Sequence, residues 1–228
     1  MKPALEKIPF AAWDARLAAD SARYAGAYTY CGPLARHVRD GDFRLRALDF
    51  DSSPAAFRLW NFLLTEEERL HEARASGKKI VGAMKDLGTV PVMAYALPNL
   101  VAFYPDGAWW VPCIMEHTDG LLAVADSLGV DDAFCPVRAM LGAFATGTQF
   151  PRPDLLTCSV GAVCDDFSAI AQRVEASGHP ILWWEMPHRR LPDPGEPALG
   201  LWDGRAVPVS QVEIVRAGLG RVRQSLEA

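Results

Sequence analysis

The stretch from Asp154 to Pro187 constrains the fold more than any other part of the chain. It holds an apolar run, Leu155 to Val160, then an amphipathic segment, Asp165 to Ser177, closed by Gly178. A second apolar run follows, Ile181 to Met186. Strand, helix and strand at this spacing form a right-handed crossover, because parallel neighbours cannot be joined by a tight turn. Phe167, Ile170, Ala171 and Val174 recur at helical spacing and supply the face that packs on the sheet. The expected architecture is α/β: an open, mostly parallel sheet flanked by helices. In such sheets ligands bind beyond the carboxyl ends of the strands, the place that Cys158 to Asp166 occupies.

The same texture reaches back to Lys79. Lys79 to Met84, Val90 to Leu97 and Trp109 to Met115 read as buried strands or extended segments. Asp119 to Leu128 reads as a helix capped by Thr118 or Asp119 and closed by Gly129. Pro136 to Ala145 reads as another, with Pro136 in its first position and Gly147 beyond its end. After Pro187 the chain is proline-rich and loop-like. It finishes in a helix opened by the capping box Ser210-Gln211-Val212-Glu213, with Val212, Val215, Leu219, Val222 and Leu226 as its apolar stripe.

Residues 1–78 read as a helical N-terminal region that precedes an α/β domain over 79–228. One helix is expected over Ala11 to Tyr24, followed by a turn-like stretch from Tyr28 to Pro33. Another begins at Pro54, capped by Ser53 and ended by Gly77. Its apolar side carries Phe57, Trp60 and Leu64, and Glu66, Glu67 and Glu68 fall on a solvated side.

Charge narrows the class of partner. The formal net charge is −5 and no basic patch is visible, which argues against a nucleic-acid partner. No membrane span is expected, since the longest apolar stretch, Val90 to Tyr104, is interrupted by Pro91, Pro98 and Asn99. A spanning helix needs roughly 20 apolar residues. The N-terminal residues lack the apolar core of a signal peptide. Five cysteines, an odd number, do not follow the spacing of a disulfide scaffold, so free or metal-bound thiols in a reducing cytoplasm are expected.

The cysteines carry the clearest chemical signal. Cys113, Cys135, Cys158 and Cys164 fall within one third of the chain, and Cys135 and Cys164 each stand where a strand turns into a helix. A thiol at a helix N-terminus faces unpaired backbone N–H groups and the positive end of the dipole, surroundings suited to binding metal or attacking an electrophile. Against this stands the tendency of free cysteine to behave as a small buried hydrophobe. No Cys-x-x-Cys zinc pattern is present. Asp165 and Asp166 complement the dipole of the helix after Cys164, and their charge opposes a thiolate there. Helix capping accounts for Thr118 and Asp119 in Glu116-His117-Thr118-Asp119, although that group could also supply acid, base or metal ligands. The pairs Trp109-Trp110 and Trp183-Trp184 read as core packing, and His179 and His188 as surface residues. No phosphate-binding Gly-x-x-x-x-Gly-Lys-Ser/Thr loop occurs, so ATP is not an expected ligand of this chain.

Lys79-Ile-Val-Gly-Ala, then Phe134-Cys135-Pro136-Val137-Arg138, then Asp154-Leu-Leu-Thr with Cys164-Asp165 after it, resembles the 2-hydroxyacyl-CoA dehydratase / benzoyl-CoA reductase family. The resemblance covers roughly Lys79 to Ala228. It implies a [4Fe–4S] cluster or larger iron–sulfur assembly held by Cys135 and Cys164, with Cys113 or Cys158 as the third ligand. It also implies an ATP-dependent activator protein that delivers an electron and a CoA-ester substrate that undergoes radical chemistry. The chain departs from the family pattern in two ways. Val163 precedes Cys164 while Thr157-Cys158 comes six residues earlier, and one α/β domain is expected where family subunits have two. A second subunit of the same family is therefore an expected partner. The alternatives are a binding or assembly subunit of this fold without a cluster, and a thiol-dependent enzyme without metal.

Overall fold

The computed structural model describes residues 7–9, 49–51, 66–86, 88–109, 119–161 and 164–228. Two short strands, β1 (Lys7–Pro9) and β2 (Asp49–Asp51), form an antiparallel ladder with Ile8 opposite Phe50. No strand was expected in this N-terminal region. The helix expected at Ala11 to Tyr24, the turn at Tyr28 to Pro33 and the start of the helix at Pro54 lie outside the described residues. That helix is described as α1 (Glu66–Ala75). It ends as foreseen at Gly77, whose φ of 81° is open to glycine at little cost. The N–H of Gly77 bonds the Arg74 carbonyl and that of Lys78 bonds the Ala73 carbonyl, which satisfies two end carbonyls. Glu66 is not on a solvated side: it is half-buried and ion-paired with Arg69 at 2.8 Å.

The domain after it is a parallel sheet of β3 (Lys79–Met84), β4 (Leu100–Phe103), β5 (Leu155–Gly161) and β6 (Ile181–Met186), in the spatial order β4-β3-β5-β6. The helices are α2 (Thr89–Tyr95), α3 (Asp119–Ser127), α4 (Ala139–Thr146), α5 (Asp165–Ala176) and α6 (Val209–Glu227). The chain steps one way from β3 to β4 and the opposite way from β5 to β6. Crossovers of a single hand then place their helices on opposite faces. Accordingly, α5 joins α1, α3 and α4 over Ile80, Met84, Val101, Phe103 and Leu156, while α2 and α6 cover Val81, Ala83, Leu100, Ala102 and Trp184. On α5 the buried residues are Phe167, Ile170, Ala171 and Val174, the face expected from the sequence. Side chains of this kind contribute about 1.5–3 kcal/mol each when fully buried.

Val90 to Leu97, read from sequence as extended, is helical. The carboxylate of Asp86 accepts the N–H of Thr89 at 2.8 Å and of Val90 at 2.9 Å, so a side chain just before the helix caps its first turn. Pro91 fits that turn because its missing N–H has no intrahelical partner to lose. Val90 and Ala94 are buried and Val92 is 71% exposed, a helical pattern that the continuous apolar run conceals. Trp109 closes a 3-10 turn, Pro105–Trp109, and the rest of the strand expected to Met115 lies outside the described residues.

The proline-rich stretch contains an antiparallel hairpin of β7 (Ala198–Gly200) and β8 (Ala206–Pro208). Helix α6 follows β8 directly. Its cap position is Pro208 and no side chain caps it, so the expected box at Ser210 does not form. In the loop before the hairpin the Glu196 carboxylate binds Arg190 at 2.6 Å and accepts the Asp193 N–H at 2.9 Å. The expected α6 stripe faces the core except at its start: Val222 and Leu226 are buried, Val215 and Leu219 pack against the same cluster, and Val212 is 36% exposed.

Candidate functional site

The reversal of strand order falls between β3 and β5, so their carboxyl ends flank the crevice where open α/β sheets accept ligands. Lys85 follows β3 with φ at 52°, a conformation costly for a residue with a Cβ. The Ser159 hydroxyl of β5 donates to the Lys85 carbonyl and holds this turn. The Lys85 side chain crosses to α5, where Nζ donates to Ser168 Oγ at 2.8 Å. Lys85 is only 7% exposed.

Beyond β4, Pro105–Trp109 folds back over β3. Gly82 makes room for it: a Cβ there would lie 3.0 Å from Pro105 Cγ and 2.6 Å from Leu156 Cδ2. This turn carries Asp106, whose Oδ1 is buried without a hydrogen-bond partner. Burial pushes the Asp106 carboxyl up to about 6, opposed by a bond from its own backbone N–H. Burial also raises the Tyr104 phenol, and the charges of Asp86 and Asp106 add to that shift. A cation, a carboxyl and a phenol thus stand at the ends of β3 and β4. Sequence reasoning passed over Lys85, Asp86, Tyr104, Asp106, Ser159 and Ser168. The available signal was Lys85-Asp86 directly after the apolar run of β3.

The cysteines separate into two kinds. Cys135 is exposed and stands at the cap position of the 3-10 turn Pro136–Arg138, which leads into α4. Cys164 is half-buried at the cap position of α5. Neither thiol makes a capping bond, and the turn after Cys135 packs against α5. Arg138, three residues after Cys135, is buried and pairs with Asp126 at 3.3 Å.

Cys158 differs from both. It lies inside β5 between Met84 and Trp183, is fully buried, and donates to the Ser159 carbonyl at 3.4 Å. Burial pushes its thiol up to about 12 against the lowering effect of Lys85, while Asp106, Asp86 and Glu175 push the same way as burial. Cys113 lies outside the described residues, as do Glu116, His117 and Thr118. Among the described residues no three His, Cys, Asp or Glu side chains gather as metal ligands.

These positions predict a reactivity order. Iodoacetamide at neutral pH is expected to alkylate Cys135 on the order of a hundredfold or more faster than Cys158, which reacts only when the core opens. Peptide mass mapping over time measures this, and equal rates would contradict the placement of Cys158.

A cleft of about 250 Å³ opens at the opposite, amino end of the sheet, lined by Lys79, Asn99, Asp154, Ser225 and Glu227 among others. None of the described cysteines lines it. Among the described residues no helix is long and apolar enough to cross a membrane. In comparison with known proteins, the chain matches no family model and no curated protein.

Proposed function

We propose that this chain is a cytoplasmic subunit that works through thiols at the carboxyl edge of its sheet, holding an iron–sulfur cluster for one-electron reduction of a CoA ester. The observation that carries the reading is the placement of Cys135 and Cys164. Both stand at starts of helical segments that pack together, and neither thiol is spent on a cap. Cys113 is the third ligand in this reading. Cys158 is not a ligand, because a fully buried thiol held protonated by its surroundings is a poor source of thiolate. A second subunit of the same family and an ATP-dependent activator complete the system. A bound cluster would supply a one-electron donor; the protein's own part is to present the thiols at the edge and to keep the sheet rigid beneath them.

A second reading is favoured by the burial of Cys158. The described residues offer two accessible thiols, Cys135 and Cys164, which suits a binding subunit of this fold without a cluster, or a thiol-dependent enzyme without metal.

Anaerobic reconstitution with iron and sulfide separates the two readings. The first expects a brown protein with a broad thiolate-to-iron absorption band, which is lost in Cys113→Ser, Cys135→Ser and Cys164→Ser and kept in Cys158→Ala. A colourless, iron-free wild-type protein after the same treatment supports the second reading. A band abolished by Cys158→Ala alone would overturn the ligand assignment.

A further inference from the structure

We propose that Lys85 and Ser168 form an oxyanion-binding site at the crevice between β3 and β5, which takes the phosphate or carboxylate group of a small-molecule ligand. Removing an ammonium from water costs several kcal/mol unless a counter-charge and hydrogen bonds replace the lost hydration. Lys85 is 7% exposed, yet among the described residues its ammonium has one partner, the neutral Ser168 hydroxyl. No carboxylate of the described residues stands within ion-pair distance of it. Its neighbour Asp86 is committed to the first turn of α2 through Thr89 and Val90.

An ammonium carries three donors, so two remain for a ligand once Ser168 is served. The site is held from three sides: β3 leads into Lys85, the Ser159 hydroxyl of β5 fixes its carbonyl, and α5 supplies Ser168. A turn with φ at 52° on a non-glycine residue keeps the lysine over the crevice at a conformational cost, as binding sites often do. An oxyanion bound here would provide the counter-charge that the fold omits, and the Ser168 hydroxyl could turn to donate to it. The site needs no metal and does not depend on the state of Cys135 or Cys164.

Calorimetric titration of the iron-free full chain tests the proposal, with acetate, inorganic phosphate and adenosine 3′,5′-bisphosphate as probes at matched ionic strength. At least one probe is expected to bind. Acetate alone would identify an acyl carboxylate as the source, phosphate and the bisphosphate equally a free phosphate, and the bisphosphate alone a nucleotide phosphate. Lys85→Met is expected to weaken binding by about tenfold or more, and Ser168→Ala by less, in keeping with loss of a charged hydrogen bond. The unliganded Lys85→Met protein is expected to melt no lower than wild type, since it loses a buried charge rather than a paired one. Absence of binding by all three probes, or unchanged affinity in a folded Lys85→Met protein, overturns the proposal. Iron incorporation at the thiols is a separate measurement, so either conclusion can fail without the other.

Discussion

Gly142→Ala is expected to lower the melting temperature by about 4–8 °C. Helices α3 and α4 touch backbone to backbone at this point: a Cβ on Gly142 would lie 2.3 Å from the Leu121 carbonyl oxygen and 3.1 Å from Leu121 Cα. Neither atom belongs to a flexible side chain, so one helix must move. Ala139, Met140, Leu141 and Ala143 around it are all buried, and any movement disturbs the packing over Phe144 and Phe150. Overpacking of this kind usually costs 1–3 kcal/mol and occasionally more, and a clash between backbones belongs at about the upper end. The better helix propensity of alanine returns only about 1 kcal/mol. Gly120→Ala is the control, because nothing lies within 4 Å of a Cβ placed there. A thermal melt in which both variants behave like wild type would show that α3 and α4 do not approach as described.

The second large effect concerns Asp106 and is a function of pH. Its carboxyl is raised from 3.8 to about 6 in the folded protein, first of all by burial. Between those values the folded chain holds a proton that the unfolded chain has released. Stability therefore falls as pH rises from about 4 to about 6, and the loss is complete above the folded value. The penalty at neutral pH is at most about 3 kcal/mol. Asp106→Asn removes the charge and keeps the shape. It is expected to melt higher than wild type at pH 7, by up to about 6–10 °C, and like wild type near pH 4. Chemical denaturation of both proteins across this range gives the difference curve. A difference that does not change with pH would show that Asp106 stays ionised and solvated. If the variant also loses ligand binding, the carboxyl belongs to the working site rather than to the frame.

Much of the fold was legible because local signals and burial agree. The strands at Lys79–Met84 and Ile181–Met186 stand where their apolar runs placed them. Helix α5 buries the four residues that its spacing picked out, and Gly77, Gly129 and Gly147 end helices with positive φ. Legibility failed where one run fits two periods. Val90 to Leu97 is apolar throughout, so alternation could not separate strand from helix, and the deciding group was Asp86, a cap three residues before the first helical residue. It failed again at Ser210, because α6 starts at Val209 directly after β8 and leaves Ser210 inside the first turn rather than at the cap position. Burial of Glu66 likewise follows from its contact with Arg69, which in turn reaches the Ala102 carbonyl on β4.

The candidate site divides the same way. Sequence alone determined that a parallel crossover exists, that its carboxyl end holds cysteines, and that two of them open helical segments, because these depend on spacing along one stretch of chain. Only the tertiary structure decided which thiols face outward. Cys158 and Cys164 are six residues apart, yet one is enclosed between Met84 and Trp183 and the other stands at a helix start. Nor could spacing reveal the buried ammonium of Lys85, the orphaned oxygen of Asp106 or the contact of Gly142 with Leu121. Those features arise where strands and helices distant in sequence meet, and the cost of burying a charge or a backbone contact is set by what the fold brings beside it.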